Sequence, residues 1–213
     1  ELGAMSVNAF YNIHSNSLFI PAALLQTPFL TAGAGLSPAD FASLGGLAGH
    51  EMSHGFDDVG RMFAPDMEMK NWWDAATVGA YKAKARCVAR YYHDYTQHAH
   101  HVPGNKTLEE DLADMGGLHI AYRAMLAHRK AQGLPTGKQH ALHARKAFFT
   151  AWAQTWCHLS TPLMRSESLR TNPHAPPSVR VNAALSQFAP FADAFECPAG
   201  SPMHRHPLAC SLW

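Results

Sequence analysis

The 213-residue sequence predicts a mainly α-helical protein with a small β element. Apolar side chains recur every three or four residues over four segments, which is the spacing of the buried face of a helix. Only two short stretches near the N-terminus, roughly Val7 to Tyr11 and Ser17 to Ile20, have the composition of strands. The sequence contains no internal repeat. We therefore expect residues 1–213 to form one lobe, in which helices surround a small sheet edge.

The first predicted helix begins at Ser37. Ser37 is a favourable N-cap residue, and Pro38 suits the first position of a helix. Glycines within this helix would each destabilise it by about 1 kcal/mol. Because they cluster one turn before a pair of histidines, we expect them to serve close packing or substrate access. The apolar positions are Phe41, Leu44, Leu47 and Ala48, and the glycines are Gly45, Gly46 and Gly49.

Three further helices follow from the same periodicity. They run from about Trp72 to Tyr95, from Thr107 to about Arg129, and from about Lys138 to Trp156. The first carries several aromatic residues that we expect to pack in the core. The third is rich in alanine, which is the strongest helix former.

Two segments outside these helices are predicted to be loops. The loop from Tyr95 to Asn105 contains His98, His100 and His101, which we expect to face solvent, where they could bind adventitious metal. The loop from Pro162 to Pro177 is long enough to have a function of its own.

Composition excludes several classes of partner. With 47% hydrophobic residues, 15% charged residues and a net charge of +1, the chain has no basic surface for nucleic acid or an anionic membrane. No stretch approaches the roughly 20 apolar residues of a membrane span. No signal peptide is recognisable either. These features are typical of an ordinary globular segment.

The run His50-Glu51-Met52-Ser53-His54 carries the most chemical information. Residues four apart lie on one face of a helix, so both histidines can bind a single Zn²⁺ while Glu51 projects toward an adjacent water molecule. This arrangement predicts zinc-dependent peptide hydrolysis. The alternative is a buried pair of structural histidines, since a chain with 15 histidines produces such spacings more often by chance.

A catalytic zinc site needs a third protein ligand and an open fourth position. Glu110 is the best candidate, and Asp114 follows four residues later on the same helix face. If Glu110 binds zinc, Asp114 can accept the second N–H of a ligating histidine and fix its tautomer. Alternatively, Thr107 and Glu110 form a capping box at the start of this helix. The spacing does not separate the two interpretations.

Several motifs, in one order along the whole chain, resemble the neprilysin and endothelin-converting-enzyme family of zinc metallopeptidases. This resemblance implies the C-terminal portion of a thermolysin-like zincin (gluzincin) catalytic lobe, with the N-terminal part of the parent protein absent from this chain. The motifs are Val7–Tyr11, Phe19–Ala22, Gln26–Phe29, Gly49–Asp58, Glu110–Asp114, Ala153–Cys157, His174 followed by Arg180, Phe195–Cys197 and Cys210–Trp213.

The resemblance implies a role for each residue of the zinc site. His50, His54 and Glu110 would bind one Zn²⁺, and Glu51 would act as general base on the zinc-bound water. His174 would stabilise the tetrahedral oxyanion from a proline-rich loop. Asp114 and Asp57 would orient the zinc-binding histidines.

The resemblance also implies how a peptide substrate is bound. Arg180 and Asn8 would hold the substrate backbone beside the cut bond, with main-chain groups of Ala9 pairing like a strand. A hydrophobic pocket for the residue after the cut would favour cleavage on the amino side of large apolar residues, although each of its residues is equally suited to an ordinary core. The pocket residues are Leu24, Phe29, Leu47 and Trp156.

The four cysteines bear on the cellular compartment. Four cysteines allow three internal pairings, and four reduced thiols are the alternative. The resemblance implies a disulfide between Cys87 and Cys210, whereas Cys157 and Cys197 would reach partners in the missing N-terminal part. Asn105-Lys106-Thr107 is also a glycosylation acceptor sequence. We therefore expect an extracellular protein, either secreted or the ectodomain of a membrane-anchored one.

Three positions depart from the pattern of the family. Glu109-Glu110-Asp111 is more acidic than usual, Met115 replaces an asparagine, and Pro177 stands where glycine is usual. The rival hypothesis is therefore a catalytically weak member that keeps zinc as a binding or receptor-like ectodomain. Intact Glu51 and His174 favour the enzyme, because a protein that only binds has no need of a positioned base.

Overall fold

The computed structural model describes residues 3–31, 33, 35–97, 100–135, 137–204, 210 and 212. It confirms the predicted fold class, because helices dominate and the strands are short. The strands are β1 (Phe10–Asn12), β2 (Ser17–Phe19), β3 (Thr96–Gln97) and β4 (His100–His101). The helices are α1 (Pro38–Ala42), α2 (Leu44–Ser53), α3 (Ala75–His93), α4 (Leu108–Ala131), α5 (Lys138–Thr155), α6 (Pro162–Thr171), α7 (Pro177–Ser186) and α8 (Ala189–Phe195).

The N-terminal β element is an antiparallel hairpin of β1 and β2, in which Phe10 pairs with Phe19 and Asn12 with Ser17. The first strand begins three residues later than predicted, so Asn8 and Ala9 precede it. Asn16 adopts a positive φ of 45° in the connecting turn, a conformation that asparagine tolerates better than most residues.

The prediction of one continuous helix from Ser37 through the two histidines is wrong, because the chain breaks at Ser43. Its start is as predicted: Ser37 and Asp40 form a reciprocal capping box, with Pro38 in the first turn. At Ser43 the hydroxyl contacts the carbonyl oxygens of Ala39 and Phe29 at 2.7 and 2.8 Å. A serine that binds nearby carbonyl groups competes with regular helix geometry, which accounts for the break.

Glycines bring α2 and α4 into close contact. A Cβ atom on Gly49 would lie 3.0 Å from Cα of Gly117, and one on Gly117 would lie 2.6 Å from the carbonyl oxygen of Gly46. On Gly46 itself, a Cβ would lie 2.8 Å from the ring of Trp152. The expectation of close packing therefore holds for Gly46 and Gly49, while Gly45 meets only ordinary contacts at 3.6 Å.

The core lies where α3, α4, α5 and α7 meet. A disulfide joins Cys87 of α3 to Cys210, as the resemblance implies, with Cα atoms 5.5 Å apart. No helix in the described part of the chain is long and apolar enough to cross a membrane. The largest fully buried side chains include Trp152, Tyr92, Phe148, Phe149, Leu118 and Met125.

Both predicted loops contain regular structure. The segment from Tyr95 to Asn105 includes the β3–β4 hairpin, in which His100 and His101 are exposed, while His98 lies outside the described residues. The segment from Pro162 to Pro177 is mostly helix α6, whose cap is the Thr161 hydroxyl accepting from the Met164 N–H. Helix α6 has no buried residue, so it lacks the apolar face by which a helix is recognised in sequence.

Candidate metal centre and catalytic site

Two crossing helices bring three donor atoms together. Helix α2 carries His50, His54 is the first residue of the 3₁₀ turn that follows it, and Glu110 lies in the first turn of α4. The two histidine Nε2 atoms are 3.3 Å apart. Glu110 Oε2 is 3.1 Å from Nε2 of His50 and 3.7 Å from Nε2 of His54.

These separations fit a zinc ion. Ligand atoms about 2.0–2.2 Å from a tetrahedral Zn²⁺ lie about 3.3–3.6 Å from one another. The three observed distances, 3.1, 3.3 and 3.7 Å, fall around that range. The donor set, two imidazole nitrogens and one carboxylate oxygen, is also one that zinc prefers.

Carboxylates fix the tautomers of both histidines. His50 donates its Nδ1–H to Asp114 Oδ1 at 2.9 Å, and His54 donates its Nδ1–H to Asp57 Oδ2 at 2.8 Å. In the neutral rings this leaves the Nε2 lone pairs directed at the shared space beside Glu110. Two lone pairs and a carboxylate at such distances repel one another unless a cation lies among them. The arrangement is therefore chemically suited to a metal ion.

The same carboxylates change the protonation of the site. Burial opposes a charge on His50, but hydrogen bonds to Asp114 and Glu110 outweigh it and raise the pKa of His50 to about 9. Burial would raise the pKa of Glu110, yet the imidazoles of His174 and His50 hold it well below its usual range. Glu110 is therefore ionised, as a metal ligand must be.

Glu51 is held in a dry environment beside the donor atoms. It is buried on α2 with 7% of its surface exposed. Burial is the largest effect on its carboxyl group and raises its pKa, while the nearby imidazoles of His50 and His54 partly oppose this. A carboxylate whose pKa is raised is a better proton acceptor at neutral pH.

The first turn of α4 resolves the choice left open for Glu110. Thr107 makes no side-chain capping bond; its hydroxyl donates to Asp111 Oδ2 at 2.7 Å. Glu110 is therefore free of a capping box and faces the imidazoles. Burial raises the pKa of the neighbouring Asp111 well above its usual value and also raises the pKa of Glu109, so burial opposes a negative charge on both acids.

Asp114 links His50 to Arg180. The Arg180 guanidinium donates from Nε to Asp114 Oδ2 and from Nη2 to Asp114 Oδ1, both at 2.6 Å. Asp114 is fully buried, and burial would raise its pKa, but Arg180 and His50 lower it. The Arg180 guanidinium also lies over the ring of Trp156, with Cζ 3.6 Å from the ring centroid. In this arrangement Arg180 acts on the site through Asp114.

His174 approaches from the loop between α6 and α7. Its Nε2 lies 3.0 Å from Glu110 Oε2, and 38% of its side chain is exposed. Asn172 Oδ1 accepts the backbone N–H of His174 and also its Nδ1–H, both at 2.9 Å. Sequence reasoning missed Asn172. An asparagine two residues before a loop histidine is the available signal, because asparagine side chains bond to backbone groups two residues ahead.

His174 is close enough to compete with His54 as a ligand. Suitable atoms of His50, Glu110 and His174 lie within 4.8 Å of one another. We favour His54 as the ligand because the Asp57 carboxylate increases the basicity of its ring, whereas His174 has only the neutral amide of Asn172.

Comparison with known proteins identifies the family to which this chain belongs. The sequence profile of Peptidase family M13 matches residues 8–211. The chain belongs to this peptidase family. It is 38% identical over 211 residues to endothelin-converting enzyme 1 of Homo sapiens, covering 97% of this chain and 27% of that protein. It is 34% identical over 215 residues to neprilysin-1 of Caenorhabditis elegans, covering 99% and 28% of the two chains.

Solved structures agree with the peptidase family. A Mycobacterium tuberculosis zinc metalloprotease in complex with an inhibitor superposes with a TM-score of 0.89 at 31% identity, covering 97% of this chain and 32% of that one. PepO from Lactobacillus rhamnosis gives a TM-score of 0.85 at 28% identity, covering 97% and 31%. The family that the motifs resemble is thus confirmed. The chain spans about a quarter of the length of the curated relatives, 27% of the human enzyme.

The residues expected to contact substrate differ in how far they are exposed. Asn8 is exposed, while Ala9 is buried just before β1. Leu24 is 1% exposed, so a substrate would reach it only after a movement of the chain. Phe29, Leu47 and Trp156 are half-buried. The hydrophobic pocket stays a prediction.

Proposed function

We propose that this chain supplies the catalytic zinc site of an endopeptidase. The supporting observation is the set of three donor atoms 3.1–3.7 Å apart, with the buried Glu51 next to His50 in sequence. His50, His54 and Glu110 would hold one Zn²⁺. In this proposal the chain is the C-terminal segment, residues 1–213, of a larger catalytic domain.

Proton transfer in this proposal belongs to Glu51. When bound, a zinc ion would supply a Lewis acid that polarises a carbonyl group and lowers the pKa of a water molecule. Glu51 accepts a proton from the attacking water and passes it to the leaving amine nitrogen. Burial raises the pKa of Glu51, which makes its carboxylate a stronger proton acceptor.

Other residues would stabilise the reacting peptide or orient the groups that act on it. His174 donates from Nε2 to the oxyanion in its protonated form, because its Nδ1–H is already given to Asn172. Asp114 fixes the tautomer of His50, and Asp57 does the same for His54. Asn8, Ala9 and Arg180 would hold the peptide backbone beside the cut bond, and the buried Arg180 also donates two hydrogen bonds to Asp114.

The substrates would be peptides cut on the amino side of large hydrophobic residues. Leu24, Phe29, Leu47 and Trp156 would line the pocket for that residue, and all four are partly or fully buried apolar side chains. A peptide library with the complete parent protein tests this assignment. A preference for Asp or Lys after the cut would contradict it.

Hydrolysis by the complete parent protein, with and without a chelator, tests the enzymatic proposal. Glu51→Gln should keep stoichiometric zinc while kcat falls by a factor of about 10²–10⁴. Glu167→Gln is the matched control, because the Glu167 carboxylate is exposed on α6 and forms an ion pair with Arg170. Equal rates for the wild type and Glu51→Gln would contradict the proposal.

A catalytically weak, zinc-containing binding or receptor-like ectodomain is the alternative. The observation that favours it is the His174 ring, which lies 3.0 Å from Glu110, within the group of ligand atoms. Wild-type protein that binds one zinc ion and cuts no peptide would support this alternative over the enzyme.

The setting of the parent protein is proposed as extracellular, either secreted or an anchored ectodomain. The Cys87–Cys210 disulfide supports an oxidising compartment. Cys157 is exposed and Cys197 is half-buried, and both are unpaired here, so each can reach a partner in the N-terminal part of the parent. Alkylation of the parent protein before and after reduction tests this, and four thiols reactive without reduction would refute it. Glycosylation at the exposed Asn105 would show as a mass loss after glycosidase treatment.

A further inference from the structure

We propose that Trp156 is a positioning residue of the zinc site, which holds the Arg180 guanidinium against Asp114 and, through Asp114, holds His50. The inference rests on the proposed zinc function. It gives Trp156 a task different from the pocket wall that the resemblance implies.

The Arg180 guanidinium is fixed on one edge and one face. Its edge donates two hydrogen bonds of 2.6 Å to Asp114, and its face lies 3.6 Å from the centroid of the Trp156 ring. Arg180 is 8% exposed and Asp114 is completely buried. An aromatic face attracts a cation more strongly when both are removed from water.

The indole acts through its ring face. Its Nε1 is buried and has no hydrogen-bond partner among the described residues. Only the π surface and the shape of Trp156 are therefore available to hold Arg180. A phenylalanine supplies a similar face, although a smaller one, and a leucine supplies none.

Trp156 connects the end of α5 to the proposed zinc site. It directly follows α5, and its ring packs at a steep angle on that of Trp152, with centroids 6.0 Å apart. Trp152 is fully buried, and its ring packs against Gly46 of α2, where a Cβ atom would lie 2.8 Å from it. The end of α5 therefore supports α2 through Trp152, and supports the Arg180–Asp114 pair through Trp156.

The positioning role and the pocket role predict different outcomes. If Trp156 only lines a substrate pocket, replacing it changes the relative rates for different peptides and leaves zinc affinity unchanged. If it positions Arg180, zinc affinity falls, and the rates for all peptides fall together because Asp114 no longer orients His50 correctly.

The experiment compares Trp156→Phe and Trp156→Leu in the complete parent protein. Zinc affinity is measured by competition with a chromophoric chelator, and kcat/KM with two peptides that carry Leu or Ala after the cut bond. We expect zinc affinity to fall about tenfold for Trp156→Leu and much less for Trp156→Phe. The kcat/KM values for both peptides should fall together with zinc affinity, in addition to any change in their ratio that comes from the pocket wall.

Trp73→Leu is the matched control. Trp73 is a half-buried tryptophan packed against the same core, and its ring contacts Tyr81 and Trp72. Its replacement should lower Tm without changing zinc affinity, which separates a general loss of packing from a change at the zinc site.

Trp156→Met, which also lacks a ring face, keeps the inference testable if Trp156→Leu does not fold. Lysine cannot stack a planar group, so in the Arg180→Lys protein Trp156→Leu or Trp156→Met should lower zinc affinity much less than in the wild type. Additive effects of the two substitutions would overturn the inference, as would unchanged zinc affinity in Trp156→Leu with an altered peptide ratio. Failure of the wild type to bind zinc would instead refute the proposed function.

Discussion

The crossing of α2 and α4 differs from the surface around α6 in how far its side chains are buried. At the crossing, His50, Asp114 and Glu51 are at most 7% exposed, and both His50 and His54 have carboxylate partners. Around α6, Leu159 is 94% and Leu163 80% exposed, and His174 borders this region. The half of the site proposed to bind metal is thus held by buried contacts within this chain, whereas the half that would contact the substrate depends on a loop at its edge.

The largest effect should come from closing the space between the two crossing helices. Gly117→Ala puts a Cβ 2.6 Å from the Gly46 carbonyl oxygen and 2.8 Å from the His50 backbone nitrogen. Such overpacking should lower the free energy of unfolding by about 3 kcal/mol and separate His50 from Glu110. Denaturant titration and zinc competition would measure the two effects.

Gly45→Ala is the control for the glycine prediction. A Cβ at Gly45 meets its nearest atom at 3.6 Å, so only the helix propensity changes, which favours alanine by up to about 1 kcal/mol. If the Gly117→Ala and Gly45→Ala proteins were equally stable, the close approach of Gly117 to α2 would not be what positions that helix.

The second prediction concerns pH. Zinc must displace a proton from His50, whose pKa is raised to about 9, so apparent zinc affinity should fall about tenfold per pH unit as pH decreases below that value. In the metal-free chain the same shift stabilises the folded state at low pH, and that contribution is lost as pH rises through about 9. Chelator competition at pH 6, 7 and 8 measures the slope, and an affinity independent of pH would contradict the His50–Asp114 arrangement.

A smaller effect is expected at the exposed edge, where Asn172 fixes His174. Asn172→Ala removes the acceptor of the His174 Nδ1–H, so kcat of the parent enzyme should fall about tenfold while zinc affinity stays unchanged. Asn172→Asp keeps an acceptor and should retain most of the activity. Asn182→Ala, at an exposed position of α7, is the control. Loss of zinc in Asn172→Ala would mean that the two halves of the site are not separable.

The smallest effect should be seen on the exposed face of α6. Leu163→Ala should change the free energy of unfolding of this chain by less than about 0.5 kcal/mol. Leu118→Ala, at a fully buried position of α4, should cost about 2–5 kcal/mol. Denaturant titration measures both values. Equal losses of unfolding free energy for Leu163→Ala and Leu118→Ala would contradict the contrast between the buried helices and the exposed face of α6.

Sequence reasoning succeeded where the signal is local. The spacing of His50 and His54 and the capping residues Ser37 and Pro38 depend only on neighbours within one or two turns. It failed at Ser43, because the break there involves the carbonyl of Phe29, fourteen residues away. It also missed α6, whose residues have no buried face to give a helical pattern.

The sequence alone determined the family, the placement of His50 and His54 one helical turn apart and the mainly helical class, because each follows from residue order and short-range spacing. Only the tertiary structure decided that Glu110 faces the imidazoles and that Thr107 bonds to Asp111. The same holds for the stacking of Trp156 on Arg180, two residues that are distant in sequence. These contacts join separate helices, and their geometry is set by how closely glycines allow α2 and α4 to approach.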